Sequence, residues 1–264
     1  MFTEKDHTFV VCAYGESPYL PECLASLRAQ TVRTSVLVAT STPNEGIERA
    51  ARDAGVSLHV SGEAPGIAHD WNYALSLART PLATIAHQDD TYEPGYVEHM
   101  LAAMSAARRP LIYFTNYGEL RGGEKVDDDL LLRVKRLLLR RLRRAGGSSE
   151  ARSVKRSALS MGSAICCPSV TFNLPLLPSP VFVSQMRSNL DWEAWEKISL
   201  LDGSFVYDDA ILMHHRIHEG SETSALIKDN TRTAEDLAML EKFWPAPVAR
   251  LINVAYSLGQ RSNG

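Results

Sequence analysis

Residues 82–90 have the sequence Leu82-Ala83-Thr84-Ile85-Ala86-His87-Gln88-Asp89-Asp90. The apolar run predicts a short buried strand, and the turn-like segment 92–95 follows it. Asp89 and Asp90 therefore come at the carboxyl end of a strand, where ligands bind in an open α/β sheet. Because like charges repel, adjacent carboxylates are easiest to keep with a cation or water between them. A solvated turn before a helix explains the same residues, so both interpretations stay open at this point.

Strand-like and helix-like segments alternate along the first part of the chain. Strands are predicted over residues 8–13, 35–40, 56–60, 82–86 and 111–117. Helices are predicted from Ser17-Pro18 onward and over residues 45–54, 68–78 and 96–107, with Ser17 as a helix cap. This alternation indicates an α/β fold with a mainly parallel central sheet and helices on both faces.

Composition excludes several classes of protein. The 264 residues carry a net charge of −3, which argues against a general nucleic-acid binder. No apolar stretch approaches the about 18 residues needed to span a membrane as a helix. The four cysteines contain no CxxC pair, and vicinal Cys166-Cys167 is a poor structural disulfide. With an N-terminus that lacks a signal-peptide core, this predicts a reducing, cytoplasmic location.

A basic segment interrupts the pattern near residues 127–152. Three aspartates at 127–129 lead into residues 130–144, which mix leucines with seven Lys/Arg. One interpretation is an amphipathic helix packed on the body with a solvated basic face. The other is a surface that meets anionic lipid, placing the protein peripherally at the inner membrane face, or an anionic acceptor. No aromatic residues are interleaved to stack nucleic-acid bases.

Three polar clusters are candidates for chemistry. They are Asp89-Asp90, Asp191 with Glu193, and His214-His215 with His218. Together they offer carboxylate and imidazole ligands for a divalent cation, with a carboxylate left to act as a base. No Walker loop is present, and no GxGxxG follows the first strand, which argues against P-loop and dinucleotide-binding proteins.

The opening segment and several later motifs carry a family resemblance. Residues 8–31 have the sequence Thr8-Phe9-Val10-Val11-Cys12-Ala13-Tyr14-Gly15-Glu16-Ser17-Pro18-Tyr19-Leu20-Pro21-Glu22-Cys23-Leu24-Ala25-Ser26-Leu27-Arg28-Ala29-Gln30-Thr31. This resembles the start of family 2 glycosyltransferases, where a strand, a Tyr-Asn-Glu-like turn and a helix ending in Ser-Leu-x-x-Gln-Thr follow one another. Gly66 and Asn72 match that family's Gly-x-x-x-x-x-Asn segment, although Trp71 replaces its frequent Arg.

The later motifs of the family appear in the same order. Residues 87–90 fall where it has a metal-binding Asp-x-Asp element, and residues 191–193 fall where it has the motif that supplies the catalytic base. Residues 216–221 are similar to its late Arg-x-His segment. The resemblance covers residues 8 to 225.

The resemblance implies a GT-A fold and transfer of a hexosyl or pentosyl group from a nucleotide-diphosphate sugar, with inversion. It implies Mg²⁺ or Mn²⁺ bound by Asp89 and His218, and Asp191 as the catalytic base, with Glu193 the next candidate. The expected donor-binding residues are Ala13, Tyr14, Glu16, Thr40, Ser41, Gly66, Asn72, Gln88 and Asp89. The expected acceptor-binding residues are Trp192, Trp195 and Arg216, for a saccharide, a lipid-linked or a small-molecule acceptor.

Two departures from the family pattern leave alternatives open. The family usually has an Asp after the second strand, near the nucleotide base, whereas residues 38–42 contain none, so hydroxyls of Thr40 or Ser41 are expected to substitute. His87 also replaces the first Asp of the metal motif. One alternative is a non-catalytic sugar-nucleotide or glycan-binding protein of the same fold. Another is a metal-dependent nucleotidyltransferase, because fold alone does not determine chemistry.

The motif order also predicts the domain organisation. Residues 1–225 are expected to form the catalytic domain, with a nucleotide-sugar half at 1–118 and an acceptor half at 119–225. The basic insertion lies in the second half. Residues 226–264 are expected to form a C-terminal helical extension.

Overall fold

The computed structural model describes residues 1–183, 186–218 and 231–261, with residues 231 and 255–261 described by their backbone alone. Within these residues ten strands form one mixed sheet in the order β3-β2-β1-β4-β9-β6-β10-β5, with β7 beside β6 and β8 beside β10. The strands are β1 His7–Ala13, β2 Ser35–Thr40, β3 Ser57–Val60, β4 Leu82–His87, β5 Thr91–Tyr92, β6 Pro110–Arg121, β7 Glu124–Val126, β8 Ser148–Ser149, β9 Val170–Asn173 and β10 Ser204–Ile217.

The helices follow the strands closely in the first half and cluster in the second. They are α1 Leu20–Arg28, α2 Glu45–Ala54, α3 Ile67–Leu77, α4 Tyr96–Ala106, α5 Leu130–Leu138, α6 Arg140–Arg144, α7 Arg152–Ser157, α8 Leu190–Ser199, α9 Thr231–Glu241 and α10 Ala246–Arg261. None of the helices in the described part of the chain is long and apolar enough to cross a membrane. The predicted domain boundary near residue 225 lies outside the described residues.

The first half of the sheet has the predicted parallel order. β1 pairs in parallel with β2 on one side and with β4 on the other, and β2 pairs in parallel with β3. All of β1 except Cys12 is buried, as expected for a strand covered on both faces. In this register Cys12 lies opposite His87, so the carboxyl ends of β1 and β4 are neighbours at one edge. Gly55, in the left-handed conformation at φ 64°, ends α2 as its sequence predicts.

The second half contains a strand that the sequence pattern does not reveal. β9 inserts antiparallel between β4 and β6. It has four residues and comes between two prolines of the segment 168–175, so local periodicity does not mark it. The hydroxyls of Thr84 on β4 and Thr171 on β9 lie 2.6 Å apart and join the strands through their side chains as well. β9 thereby links the two halves into one sheet.

Strand β10 carries the late histidine motif to the end of β4. It runs parallel to β6, with one register shift at Ser204–Phe205 and two between Asp208 and His214. Met213 and His214 pair antiparallel with β5. This pairing places the residues after His214 alongside the turn that follows β4.

The Asp90 carboxylate holds that junction together. It is buried, with 1% of its surface exposed, and its Oδ1 accepts from the backbone N–H of Arg216 at 2.9 Å and lies 3.0 Å from Nδ1 of His215. Burial acts to raise the pKa of Asp90, but His215, His87 and the Arg216 amide outweigh it, so the pKa lies below its ordinary value. Burial likewise acts to lower the pKa of His215, and Asp90 outweighs it, so that pKa is raised.

We expect Asp90→Asn to lower the free energy of unfolding by roughly 2–3 kcal/mol, since it leaves His215 without a buried counter-charge. Because folding lowers the pKa of Asp90, this group stabilises the folded protein at pH values above the ordinary pKa of Asp, and the stabilisation is lost as the pH falls. Because folding raises the pKa of His215, this group stabilises the folded protein at pH values below the ordinary pKa of His. That stabilisation is lost as the pH rises through the pKa of His215 in the folded protein. The difference from the parent is therefore largest between about pH 4 and pH 6.5.

Urea unfolding of the parent and the variant across the pH range measures this difference. Asp53→Asn, at an exposed position on α2, is the matched control and should leave stability nearly unchanged. A stability difference that stays constant from pH 5 to about pH 9 would contradict a protonated His215 as the partner.

Candidate active site

Asp89 lies at the sheet edge beside the end of β10. Its Oδ1 accepts a hydrogen bond from the Ser17 hydroxyl at 2.7 Å, and its Oδ2 lies 3.2 Å from Nε2 of His218. The Asp89 and His218 side chains are 26% and 23% exposed. Ser17, predicted as a helix cap, instead orients this carboxylate, and α1 begins after Tyr19. The two side chains expected to bind a metal are thus in contact and open to a ligand.

Arg216 supports the Asp89 turn from behind. Its Nε donates to the backbone oxygen of Asp89 at 2.8 Å, and its guanidinium pairs with Glu22 at 2.6 Å. The guanidinium also lies 4.3 Å from the ring centroid of Tyr19, and Arg216 is 7% exposed. With these contacts Arg216, expected to bind acceptor, holds the position of the Asp89 backbone.

Side chains from other elements fix the conformation of the backbone loop that follows β1. The Gln88 amide accepts from the Tyr14 N–H at 3.1 Å and donates to the Tyr14 carbonyl at 2.8 Å. The Gly15 N–H donates to the Thr42 hydroxyl at 2.7 Å, and Gly15 has a φ of 57°, a conformation that favours glycine. The loop therefore has a defined shape beside Asp89. Glu16, in the same loop, is exposed, and Ala13 is buried at the end of β1.

The side of the site next to β2 contains two polar atoms that are buried and have no hydrogen-bond partner among the described residues. They are the Ser41 hydroxyl and Oδ1 of Asp70 in the first turns of α3. Thr40 is 2% exposed, and its hydroxyl accepts from the Thr42 N–H at 3.0 Å. Of the two hydroxyls expected to replace the missing aspartate, Ser41 is the one with free bonding capacity. Asp70, which motif comparison did not single out, adds a carboxylate there.

Gly66 and Asn72, the two residues that match the family's Gly-x-x-x-x-x-Asn segment, have local structural roles. Gly66 is the N-cap of α3, and its N–H donates to Oδ2 of Asp70 at 3.3 Å. The Asn72 amide donates to the Phe182 carbonyl at 2.7 Å and accepts from the N–H groups of Val181 and Phe182 at 3.1 and 3.0 Å. Asn72 thus holds the backbone at Val181 and Phe182, before α8, through all three of these hydrogen bonds.

Two residues that differ from the family motifs, Trp71 and His87, contact one another. Their rings stack with centroids 5.2 Å apart and an interplanar angle of 25°. Burial lowers the pKa of His87 despite the nearby Asp90, so the imidazole is neutral near pH 7. An aromatic stack therefore joins α3 to the end of β4 at this point.

Asp191 lies in the first turn of α8, partly buried. Burial raises its pKa to about 6, against the opposing effects of the Trp192 N–H, which donates to its Oδ1 at 2.6 Å, and of Arg232 and Lys135. Burial raises the pKa of the Cys166 thiol, and the negative charges of Asp90 and Asp191 add to this effect. A carboxyl group with a pKa close to neutrality can accept a proton and release it again.

The neighbours of Asp191 face other directions. Glu193 forms ion pairs with Lys242 at 2.9 Å and Lys197 at 3.1 Å, and these contacts tie α8 to the end of α9. Trp192 and Trp195 are 1% and 0% exposed and belong to the core. Their burial leaves no ring face for an acceptor sugar, which corrects the expectation from sequence. Hydrophobic packing of α8 against the sheet takes both rings inward.

Lys135 is a site residue that sequence reasoning grouped with the solvated charges. It projects from α5, donates to the Tyr117 hydroxyl and lies 5.0 Å from the centroid of that ring. Burial raises the pKa values of Asp191 and Cys166, and the positive charge of Lys135 opposes that effect at both groups. Lys135 lies three residues after Leu132 and four before Leu139, which are both buried. This helical spacing was the sequence signal that Lys135 lies near the inward face of the segment.

The described residues contain no group of three or more His, Cys, Asp or Glu side chains arranged to hold a metal. The Asp89–His218 pair offers one carboxylate oxygen and one imidazole nitrogen, which are donor types that a divalent cation such as Mn²⁺ accepts. Ser17 occupies the other carboxylate oxygen and keeps Oδ2 directed at His218.

The fold is shared with solved glycosyltransferases. S. aureus TarS residues 1–349 in complex with UDP-GlcNAc has a TM-score of 0.63 at 15% identity, over 96% of this chain and 71% of that chain. The mannosyltransferase PcManGT from Pyrobaculum calidifontis, with GDP-Man and Mn²⁺, has a TM-score of 0.59 at 15% identity, over 96% and 69%. Glucosyl-3-phosphoglycerate synthase from Mycobacterium tuberculosis, with Mn²⁺ and UDP-glucose, has a TM-score of 0.55 at 14% identity, over 90% and 79%.

At these identities the structural likeness concerns the fold alone, which is the predicted GT-A architecture. No curated protein sequence matches the chain. The family model described as "Glycosyl transferase family 2" matches residues 8–153, more than half of the chain and the part that contains the strand-end motifs. The chain therefore belongs to glycosyl transferase family 2.

Proposed function

We propose that this family member transfers a sugar from a nucleoside-diphosphate sugar to an acceptor hydroxyl, with Asp191 as the catalytic base. The observation that carries the proposal is the contrast between two carboxylates of the site. Asp89 is open, oriented by Ser17 and in contact with His218, whereas Asp191 is partly buried with a pKa of about 6. The first suits a cation and the second suits proton transfer.

The donor is assigned to the loop after β1 and the adjoining ends of β2 and α3. Gln88 and Thr42 hold the Tyr14-Gly15 backbone in a shape that can approach a diphosphate. Ser41 and Asp70 offer one hydroxyl and one carboxylate oxygen to the edge of the nucleobase. The solved structures named above contain UDP-GlcNAc, UDP-Glc and GDP-Man, which are all nucleoside-diphosphate sugars. They support this donor class without indicating which nucleobase the donor of this chain carries.

Asp89 and His218 are the residues that would hold Mg²⁺ or Mn²⁺, and the imidazole favours Mn²⁺. A cation bound there supplies positive charge to the departing nucleoside diphosphate. Arg216 keeps the Asp89 backbone in place, and Asp90 keeps β10 beside it.

Asp191 takes the proton of the acceptor hydroxyl as that oxygen bonds to the anomeric carbon and the bond to the diphosphate oxygen breaks. Direct displacement inverts the anomeric configuration. Burial raises the affinity of Asp191 for the proton, while Lys135 and Arg232 moderate the effect. These two cations also give the acceptor side of the site a positive character, which suits an acceptor that carries an anionic group.

We expect Asp89→Ala to abolish metal-dependent donor binding without unfolding the protein, because Asp89 is partly exposed and supplies a ligand rather than core packing. The measurement is a thermal-shift screen of UDP-, GDP-, dTDP- and CDP-sugars with Mn²⁺. A true donor raises the melting temperature of the parent by mass action and leaves that of the variant unchanged. Asp53→Ala is the control, and equal stabilisation of parent and Asp89→Ala would refute the assignment.

We expect Asp191→Asn to keep donor affinity and to lower turnover by about 100-fold or more, the usual scale for a lost general base. Because the base acts when deprotonated, the parent rate should fall as the pH drops below about 6. That acidic limb should be absent in the variant. Initial rates of nucleoside-diphosphate release across the pH range provide the measurement.

Glu193→Gln is the matched control on the same helix. Its carboxylate is engaged by Lys242 and Lys197, so this change should affect stability more than turnover. If Glu193→Gln removed the acidic limb and Asp191→Asn did not, the two roles would have to be exchanged.

A further inference from the structure

Helix α5 presents a row of apolar side chains to solvent. Leu130, Val134 and Leu137 are 75%, 45% and 56% exposed. Their spacing of four and three residues puts them on one face of the helix, and these three residues are called the α5 stripe. Large apolar side chains aligned in this way on a surface mark an interaction site more often than isolated ones do.

The opposite face of the same segment is anchored in the protein. Leu132, Leu139 and Leu142 are 1%, 2% and 0% exposed and belong to the hydrophobic cores. Asp129 caps the helix by accepting from the Leu132 N–H at 2.8 Å. The α5 stripe therefore cannot turn inward without pulling these leucines out of the core, and its exposure belongs to the folded state.

The charges around the stripe divide into engaged and unengaged groups. Arg133 and Arg136 pair with Asp128, and Arg143 pairs with Asp209. Arg140, Arg141 and Arg144 are exposed, and within the described parts of the chain no carboxylate lies at ion-pair distance from them. Residues 130–144 contain no acidic side chain. A local excess of positive charge thus adjoins the apolar row on a chain whose net charge is −3.

We infer that the α5 stripe and the adjoining Arg140, Arg141 and Arg144 dock the protein on an anionic phospholipid surface. The apolar side chains enter the boundary between headgroups and acyl chains, and the guanidinium groups contact lipid phosphates. The arginines without an ion-pair partner favour binding to an anionic partner, and the α5 stripe favours a partner with an apolar interior. A membrane surface combines both, whereas a soluble polyanion offers only the charge.

This docking gives α5 a role on both of its faces. Lys135, on the inward side, reaches Tyr117 and acts on Asp191. Docking would bring lipid headgroups to the side of the molecule where Lys135 enters the site. Docking on the membrane does not depend on the proposed reaction. The idea that the acceptor is embedded in the membrane does rest on the proposed function.

Vesicle sedimentation tests the surface without using enzyme activity. The full chain is mixed with vesicles of phosphatidylcholine alone, or with about one third phosphatidylserine, at low and high salt. The first variant is Leu130→Ser/Val134→Ser/Leu137→Ser, and the second is Arg140→Gln/Arg141→Gln/Arg144→Gln. Matched controls are Val248→Ser/Leu251→Ser, at exposed apolar positions on α10, and Arg33→Gln/Arg49→Gln/Arg52→Gln, at exposed arginines.

The parent should sediment with the anionic vesicles and be released by salt. Each α5–α6 variant should bind at least about tenfold more weakly, while both controls bind like the parent and all variants keep the parent melting temperature. Equal sedimentation of the parent and the variants would overturn the inference. Loss of binding in the arginine variant but not in the serine variant would also overturn it, in favour of a soluble polyanion. Equal loss in the controls would show that the effect is not specific to this surface.

Discussion

The site depends on one buried carboxylate, Asp90, which joins the end of β4 to the end of β10. Strand β10 runs in parallel beside β6 and passes three register shifts along that pairing. Its last residues are placed by the pairing with β6 and β5 and by Asp90, which accepts from the Arg216 N–H and pairs with His215. A buried carboxylate without these partners would be costly, so folding brings the two strand ends together.

At the same junction the adjacent carboxylates of Asp89 and Asp90 have different roles. Asp90 points into the protein, where its Oδ1 contacts His215 and the Arg216 N–H, and Asp89 lies on the rim with Ser17 and His218. Arg216 serves both, because its backbone binds Asp90 while its side chain binds the Asp89 carbonyl. The repulsion expected between adjacent acids is relieved by giving each its own cationic or donor partners. A carboxylate held in one orientation by its neighbours suits the cation that is proposed for this site.

The basic insertion is both part of the core and part of the surface. Its inward leucines pack with the sheet, its Lys135 reaches toward the candidate base, and its outer face remains apolar and positive. The packed amphipathic helix drawn from the sequence describes the inward side of this segment, and contact of its outer side with lipid stays a prediction. The acids at residues 127–129 are engaged by the cap, by His214 and by arginines, which separates them from the unpaired charges farther along.

Local sequence was sufficient for the elements whose signals are local. The apolar runs and the motif order predicted the parallel half of the sheet, the fold and the family, because strand and helix periodicity are properties of neighbouring residues. Tertiary packing alone decided the insertion of β9, the burial of Trp192 and Trp195, and the different fates of Asp89 and Asp90. Each of these depends on contacts between segments far apart in the chain, and burial and hydrogen-bond satisfaction there are set by the partner segment.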